Sequence, residues 1–196
     1  MKIAIIDYNA GNIRSVDFAL KRFGVDAEIT NVHENILSAD KVIFPGVGEA
    51  SSAMKYLRKH KLDELICSIK QPVLGICIGL QLMCSHSEEG DTECLGIFEE
   101  KVKKFISNDH QMKIPQMGWN TIYDLKTAMF DPSLEGQYVY YVHSYYAETG
   151  KNTIAKTSYA SEFSAGLHKD NFYATQFHPE KSGTVGAQIL KNFLAL

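Results

Sequence analysis

Short apolar runs alternate with stretches of helical period through the first half of the chain. Lys2 to Asp7 reads as a buried strand. Asn12 to Phe23 then places Ile13, Val16, Leu20 and Phe23 on one helical face, with Gly24 as a stop. Ala27 to Thr30 and Lys41 to Phe44 read as further strands, the second ending in the turn Pro45-Gly46-Val47-Gly48. A helical stretch from about Ala50 to Lys59 follows, and Pro72 to Ile76 is the best buried strand. Such alternation predicts an α/β protein with an open, largely parallel or mixed sheet flanked by helices.

Beyond about Lys101 the texture becomes β-rich: Val102 to Ile106, Tyr138 to Ser144, Thr153 to Thr157, Phe163 to His168 and Asn171 to Phe177. These segments predict β-hairpins added in the C-terminal half. Ser182 is placed to cap a closing helix whose stripe is Val185, Ile189, Phe193 and Leu196. No linker, repeat or low-complexity tract divides the chain, and 196 residues fit one domain, 1–196.

Composition narrows the function classes. Twenty Lys and Arg against 23 Asp and Glu leave a net charge of −3, which gives no electrostatic footprint for nucleic acid or an anionic membrane. The three lysines in Lys101 to Lys104 read as a solvated strand edge. The most apolar window, Pro72 to Cys84, is broken by Gln81 and falls short of the roughly 18 residues of a membrane span. No signal-type segment opens the sequence, so a cytoplasmic protein is expected. Four cysteines, at 67, 77, 84 and 94, lack zinc-finger spacing and read as reduced thiols. Neither a metal nor another cofactor is expected.

The sharpest chemical signal is Gly75-Ile76-Cys77-Ile78-Gly79-Leu80-Gln81, where a buried strand turns into a helix with cysteine at the bend. It reads as a nucleophile elbow carrying sulfur, with glycines where flanking side chains would collide with the nucleophile. A thiol at the first turn of a helix feels the positive end of its dipole, and the Ile78 amide faces a developing oxyanion. The competing reading is a small core cysteine, which suits Cys67, Cys84 and Cys94 better because only Cys77 has the double-glycine frame.

A nucleophilic cysteine needs a base and an orienting group, and Gln176-Phe177-His178-Pro179-Glu180 offers both. Pro179 biases His178 toward extended backbone, so the His178 and Glu180 side chains share one face. His33, His60, His86, His110 and His168 read as surface or structural residues. Pro45-Gly46-Val47-Gly48, at the carboxyl end of a strand, is either a plain turn or the second amide donor to an oxyanion, through Val47 and Gly48. The tyrosines of Tyr138 to Tyr146 read as an ordinary strand or, together with Trp119 in a Met-Gly-Trp loop, as a docking surface.

In chain order, the glycine turn, the elbow and the late HPE motif resemble the class I, triad-type glutamine amidotransferases over essentially the whole chain. The segments IIDYNAGNIRSV, FPGVG, PQMGWN, YYVHSYYA and FHPEKSG are similar to one branch of that family, the glutaminase subunits of imidazole glycerol phosphate synthase. The resemblance implies a flavodoxin-like sheet and a Cys77-His178-Glu180 triad that hydrolyses L-glutamine through a glutamyl thioester. It further implies that ammonia passes to a (β/α)8 cyclase subunit, forming imidazole glycerol phosphate and an aminoimidazole carboxamide ribonucleotide in histidine biosynthesis. By the same resemblance Gly48, Gln81, Ser144 and Tyr145 hold glutamine, while Asn12, Trp119, Tyr140 and Lys181 lie at or near the cyclase. A free subunit would be nearly inactive, one amide of the Gly46 to Gly48 loop being misdirected until the partner binds.

Three segments depart from the family's usual pattern. The elbow reads GICIGLQ rather than GICLGMQ, Gln116 stands in place of a frequent histidine, and Glu49-Ala50 replaces Ala-Phe after PGVG. Three rival functions are a glutaminase subunit serving another synthase, a non-catalytic flavodoxin-like redox sensor and a cysteine peptidase.

Overall fold

The computed structural model describes residues 1–106 and 112–196; His110 therefore lies outside the described residues. In chain order, strand β1 (Ile3–Ile6) leads to helix α1 (Ile13–Lys21), β2 (Ala27–Thr30), α2 (His33–Leu37) and β3 (Lys41–Phe44). Helices α3 (Ala50–Lys59) and α4 (Leu62–Ser68) precede β4 (Val73–Ile76) and α5 (Ile78–Met83). Then come β5 (His86–Ser87), β6 (Thr92–Glu93), β7 (Lys101–Lys104), β8 (Gln116–Thr121), β9 (Tyr138–His143) and β10 (Tyr145–Ala147). The chain closes with β11 (Thr153–Tyr159), β12 (Ser161–Lys169), β13 (Phe172–Thr175) and α6 (Gly183–Ala195).

A seven-stranded sheet in the order β11-β12-β13-β4-β3-β1-β2 forms the centre. The run from β13 to β2 is parallel, and β12 and β11 extend it antiparallel. Strands β1, β3 and β4 are buried at every position, as continuous apolar runs covered on both faces must be. Their alternation feeds two cores. Ala4, Ile6, Val42, Phe44 and Val73 pack with α3 and α4 through Met54, Leu57, Leu62 and Ile66. Ile3, Ile5, Ile43, Leu74 and Ile76 pack on the opposite face with α1, α6 and the β8–β9 hairpin, through Val16, Leu20, Ile189, Phe193 and Tyr141.

The mixed α/β architecture is the one the hydrophobic pattern predicts, and five expectations are corrected. Trp119 sits in strand β8, paired with Tyr140 of β9, rather than in a loop, because the Gly118 backbone continues the ladder. Asn171 to Phe177 is more than an added hairpin: β13 pairs in parallel with β4 inside the central sheet. Strand β7 is interior to a second sheet, β10-β7-β5-β6, so its lysines face solvent without forming an edge, and Lys103 meets Glu88 at 3.2 Å. Ser182 makes no side-chain cap to α6, and the apolar stripe ends at Phe193, with Leu196 40% exposed. Cys67 is exposed rather than in the core; all four cysteines are free thiols. Helices α2 and α4 have no counterpart in the pattern reading, being too short to show a clear period.

Candidate active site

Three neighbouring parallel strands end side by side, and each delivers one part of the site. Strand β3 runs into Pro45–Gly48, β4 into Cys77, and β13 into the Gln176–Glu180 segment. The carboxyl edge of an open parallel sheet is where such folds place ligands, because the following loops diverge there and leave a crevice.

At the end of β4 the chain turns sharply. Cys77 has φ 54° and ψ −105°, its amide donates to the Thr175 carbonyl at 2.8 Å, and α5 begins at the next residue. A non-glycine residue held at positive φ needs support from its surroundings. That support is packing of α5 on β3: a Cβ at Gly79 would lie 2.0 Å from the Phe44 carbonyl oxygen. A Cβ at Gly75 would meet Met83 Sδ at 2.9 Å. The glycines therefore clear room for β3 and α5 rather than for the cysteine itself, which corrects the collision expected from sequence.

His178 and Glu180 are fully buried side chains joined Nδ1 to Oε1 at 2.8 Å. The carboxylate can only accept, so Nδ1 carries the proton and Nε2 is the nitrogen turned to other chemistry. Nε2 has no hydrogen-bond partner among the described residues. Burial alone would disfavour the imidazolium, but the Cys77 sulfur and Glu180 outweigh it and push the His178 pKa up to about 10. The ring is held from behind as well. The His178 amide donates to the Tyr140 carbonyl at 2.9 Å, and Ser182 Oγ donates to the His178 carbonyl at 2.6 Å while accepting the Tyr140 amide at 2.9 Å. Ser182 thus ties the histidine loop to β9 instead of capping α6.

A cleft of about 250 Å³ opens over Cys77, lined among others by Val47, Gly48, Ile78, Gln81, Ser144 and Tyr145. The structure brings these predicted oxyanion and substrate positions together around the thiol. Gln81 is fixed there, its amide nitrogen donating to the Tyr145 carbonyl at 2.8 Å and to Gln176 Oε1 at 3.1 Å. Gln176 in turn directs its amide at Cys77 Sγ, 3.8 Å away.

The four positions assigned to a partner surface are split. Trp119, 55% exposed, meets Tyr140 edge to face at 5.9 Å between ring centres, and Lys181 is exposed. Asn12 instead turns inward from a left-handed backbone at φ 70°, and its side-chain amide donates to Glu180 Oε1. Glu49, a departure from the family pattern, caps α3 through the Ser51 and Ser52 amides, and the Ser51 hydroxyl, followed by the Ser52 amide, holds its carboxyl down at about 2.

Several residues of the site escape pattern reading. Glu89 is the one carboxylate among the cleft residues; its Oε2 accepts the Ala50 amide at 2.8 Å, and burial raises its pKa. Nothing in its Ser-Glu-Glu-Gly turn marks it. His143 is buried and contacts the Tyr145 carbonyl through Nδ1 at 2.7 Å and Gln116 through Nε2 at 3.0 Å. Burial drives its pKa down to about 4, so the ring is neutral and donates only from Nδ1. The atom 3.0 Å from Nε2 is Gln116 Oε1, so a ring protonated on Nδ1 alone requires that side-chain amide turned over to present its NH2.

The comparisons with known proteins bear on the same chain. The sequence model of the glutamine amidotransferase class-I family matches residues 4–196. The chain belongs to the class-I glutamine amidotransferase family. This amidotransferase is 58% identical over 196 residues, all of both chains, to the imidazole glycerol phosphate synthase subunit HisH of Bacteroides fragilis strain YCH46. It is 45% identical to the HisH subunit of Pectobacterium atrosepticum, again over the full length of both. Among solved structures, PurLQS from Thermotoga maritima superposes with a TM-score of 0.72 at 15% identity, covering 99% of this chain and 97% of that one. That likeness shows the fold.

Among the described residues no group of three or more His, Cys, Asp or Glu side chains is arranged to hold a metal. Nor is any helix long and apolar enough to cross a membrane.

Proposed function

We propose that this chain is the glutaminase subunit of an imidazole glycerol phosphate synthase. It hydrolyses L-glutamine to glutamate and ammonia with Cys77 as nucleophile, His178 as base and acid, and Glu180 as the group that orients His178. The observation that carries the reading is the convergence of Cys77, the His178–Glu180 pair and the Val47–Gly48 loop on one cleft at the ends of three adjacent strands.

The chemistry runs in two halves. Cys77 Sγ, whose proton His178 Nε2 already holds at the raised pKa of the ring, bonds to the glutamine side-chain carbonyl carbon, and the oxyanion is met by backbone amides at Gly48 and Ile78. His178 then gives that proton to the departing nitrogen, the C–N bond breaks, and ammonia leaves behind a thioester. Water, deprotonated by the same nitrogen, attacks the thioester and releases glutamate and the free thiol. Gln81, Ser144, Tyr145 and Gly48 hold the rest of the substrate. The Glu89 carboxylate supplies the charge complementary to its α-ammonium group.

Ammonia is delivered to a separate cyclase subunit. The outward face of the β8–β9 hairpin, with Trp119 and Tyr140, and Lys181 beside the triad form the surface for it, an exposed aromatic face next to the chemistry. The enzyme works in the cytoplasm without a cofactor. The deciding experiment measures ammonia release from glutamine by this chain alone, then with the cognate cyclase and its nucleotide ligand, and repeats both with Cys77→Ala. Stimulated release that vanishes in Cys77→Ala is expected; stimulated release that survives the substitution overturns the mechanism.

A further inference from the structure

One buried polar group beside the cleft is left over by this mechanism. Tyr8, at the end of β1, is 3% exposed, and its hydroxyl has no hydrogen-bond partner among the described residues. Leaving a buried hydroxyl unpaired is costly, so its position calls for a physical reason.

The hydroxyl lies against the Gly46 backbone, beside the Ile78 side chain. A Cβ at Gly46 would fall 1.9 Å from Tyr8 Oη and 2.5 Å from Ile78 Cγ2. The tyrosine ring is braced by Phe44 of β3, 5.0 Å between centres, so Oη is a fixed point under the Pro45–Gly48 loop. Tyr8 also lines a second cavity, of about 160 Å³, whose wall includes Val47, Gly48 and Ile78. These three residues line the Cys77 cleft as well, whereas Tyr8 does not. The loop is therefore a partition, with substrate on one side and the unpaired hydroxyl on the other. Gly48, at φ 140° and with open space where a Cβ would stand, lets that partition rotate its peptides.

We propose that Tyr8 is a positioning residue for glutamine hydrolysis, its hydroxyl donating to a backbone carbonyl of the Pro45–Gly48 loop when that loop turns an amide toward the oxyanion. Rotating the Val47–Gly48 peptide, which lies between the two cavities, sends the Gly48 N–H into the cleft and turns the Val47 carbonyl to the side that Tyr8 lines. One hydrogen bond then stabilises the loop in its working orientation. The hydroxyl acts through the loop and touches neither substrate nor sulfur.

This inference rests on the glutaminase reading, and the test separates the two. Tyr8→Phe keeps the ring and removes only Oη. In the complex with the cyclase subunit, kcat for glutamine hydrolysis is expected to fall about tenfold, the value of one hydrogen bond in the transition state. KM should stay within about twofold, and the rate of Cys77 alkylation by iodoacetamide should be unchanged. The melting temperature should hold or rise, since the hydroxyl is unpaired in the resting state. A Tyr8→Phe enzyme with wild-type kcat overturns the proposal and makes Oη a solvated group of the second cavity. An equal loss of alkylation rate also overturns it, by showing damage to the nucleophile itself. Glutaminase activity that persists in Cys77→Ser instead sinks the underlying reading.

Discussion

The side-chain amide of Asn12 donates to the same Glu180 oxygen that receives His178 Nδ1–H, from 168 residues away in sequence. The other oxygen, Oε2, is buried without a partner among the described residues. Oε1 thus carries both contacts, and Asn12 fixes where the carboxylate sits under the ring.

Asn12→Ala is therefore expected to lower kcat for glutamine hydrolysis roughly tenfold while leaving KM near the wild-type value, since the amide orients the base rather than the substrate. Asn12→Asp should be worse, because it sets a second carboxylate against Glu180. Steady-state ammonia release checks both. An Asn12→Ala enzyme whose loss lies wholly in KM would remove Asn12 from the triad.

The raised pKa of His178 predicts the alkaline limb of stability. A histidine at about 10 when folded and 6.5 as its ordinary value binds more proton in the native state, so its contribution is complete below about pH 6.5 and is lost as pH rises toward about 10. Thermal melting between pH 7 and 9.5 should show the midpoint falling with pH. Cys77→Ala removes one of the charges that hold the proton, so its midpoint should fall less steeply over that window.

His143 sets the opposite limb. Its folded pKa of about 4 lies below the ordinary 6.5, so the unfolded chain takes up the proton first and stability is lost as pH falls from about 6.5 toward 4. A 15N-resolved histidine spectrum at pH 5 should show His143 still neutral with its proton on Nδ1. Replacing its partner by Gln116→Glu places a carboxylate at Nε2 and should raise the His143 pKa, visible in the same titration.

The elbow packing gives a stability prediction. Gly79→Ala forces a methyl group against the Phe44 carbonyl, a backbone atom that cannot yield, and should cost roughly 3 kcal/mol or more. For a chain of this size that is a fall in Tm of roughly 6–12 °C. Gly75→Ala should cost less, because its nearest neighbour is the flexible Met83 thioether.

Much of this protein is legible from local chemistry. The runs Ile3–Ile6, Lys41–Phe44 and Val73–Ile76 are apolar at nearly every position, which only a strand buried on both faces tolerates, so a central parallel sheet follows from the sequence alone. The double-glycine frame marks Cys77, and Pro179 two steps from Phe177 marks His178 and Glu180, because each motif states its backbone requirement within a few residues. Other relationships have no local signature. The strand order places β13 beside β4, and that adjacency decides that Gln176 reaches Gln81, 95 residues away in sequence. Asn12 on Glu180, Glu89 in the cleft, Gln116 on His143 and Tyr8 under Gly46 likewise depend on which loops the sheet brings together. Side-chain period reports which face a residue presents, whereas the partner on that face is set by long-range packing, and only the assembled fold determines it.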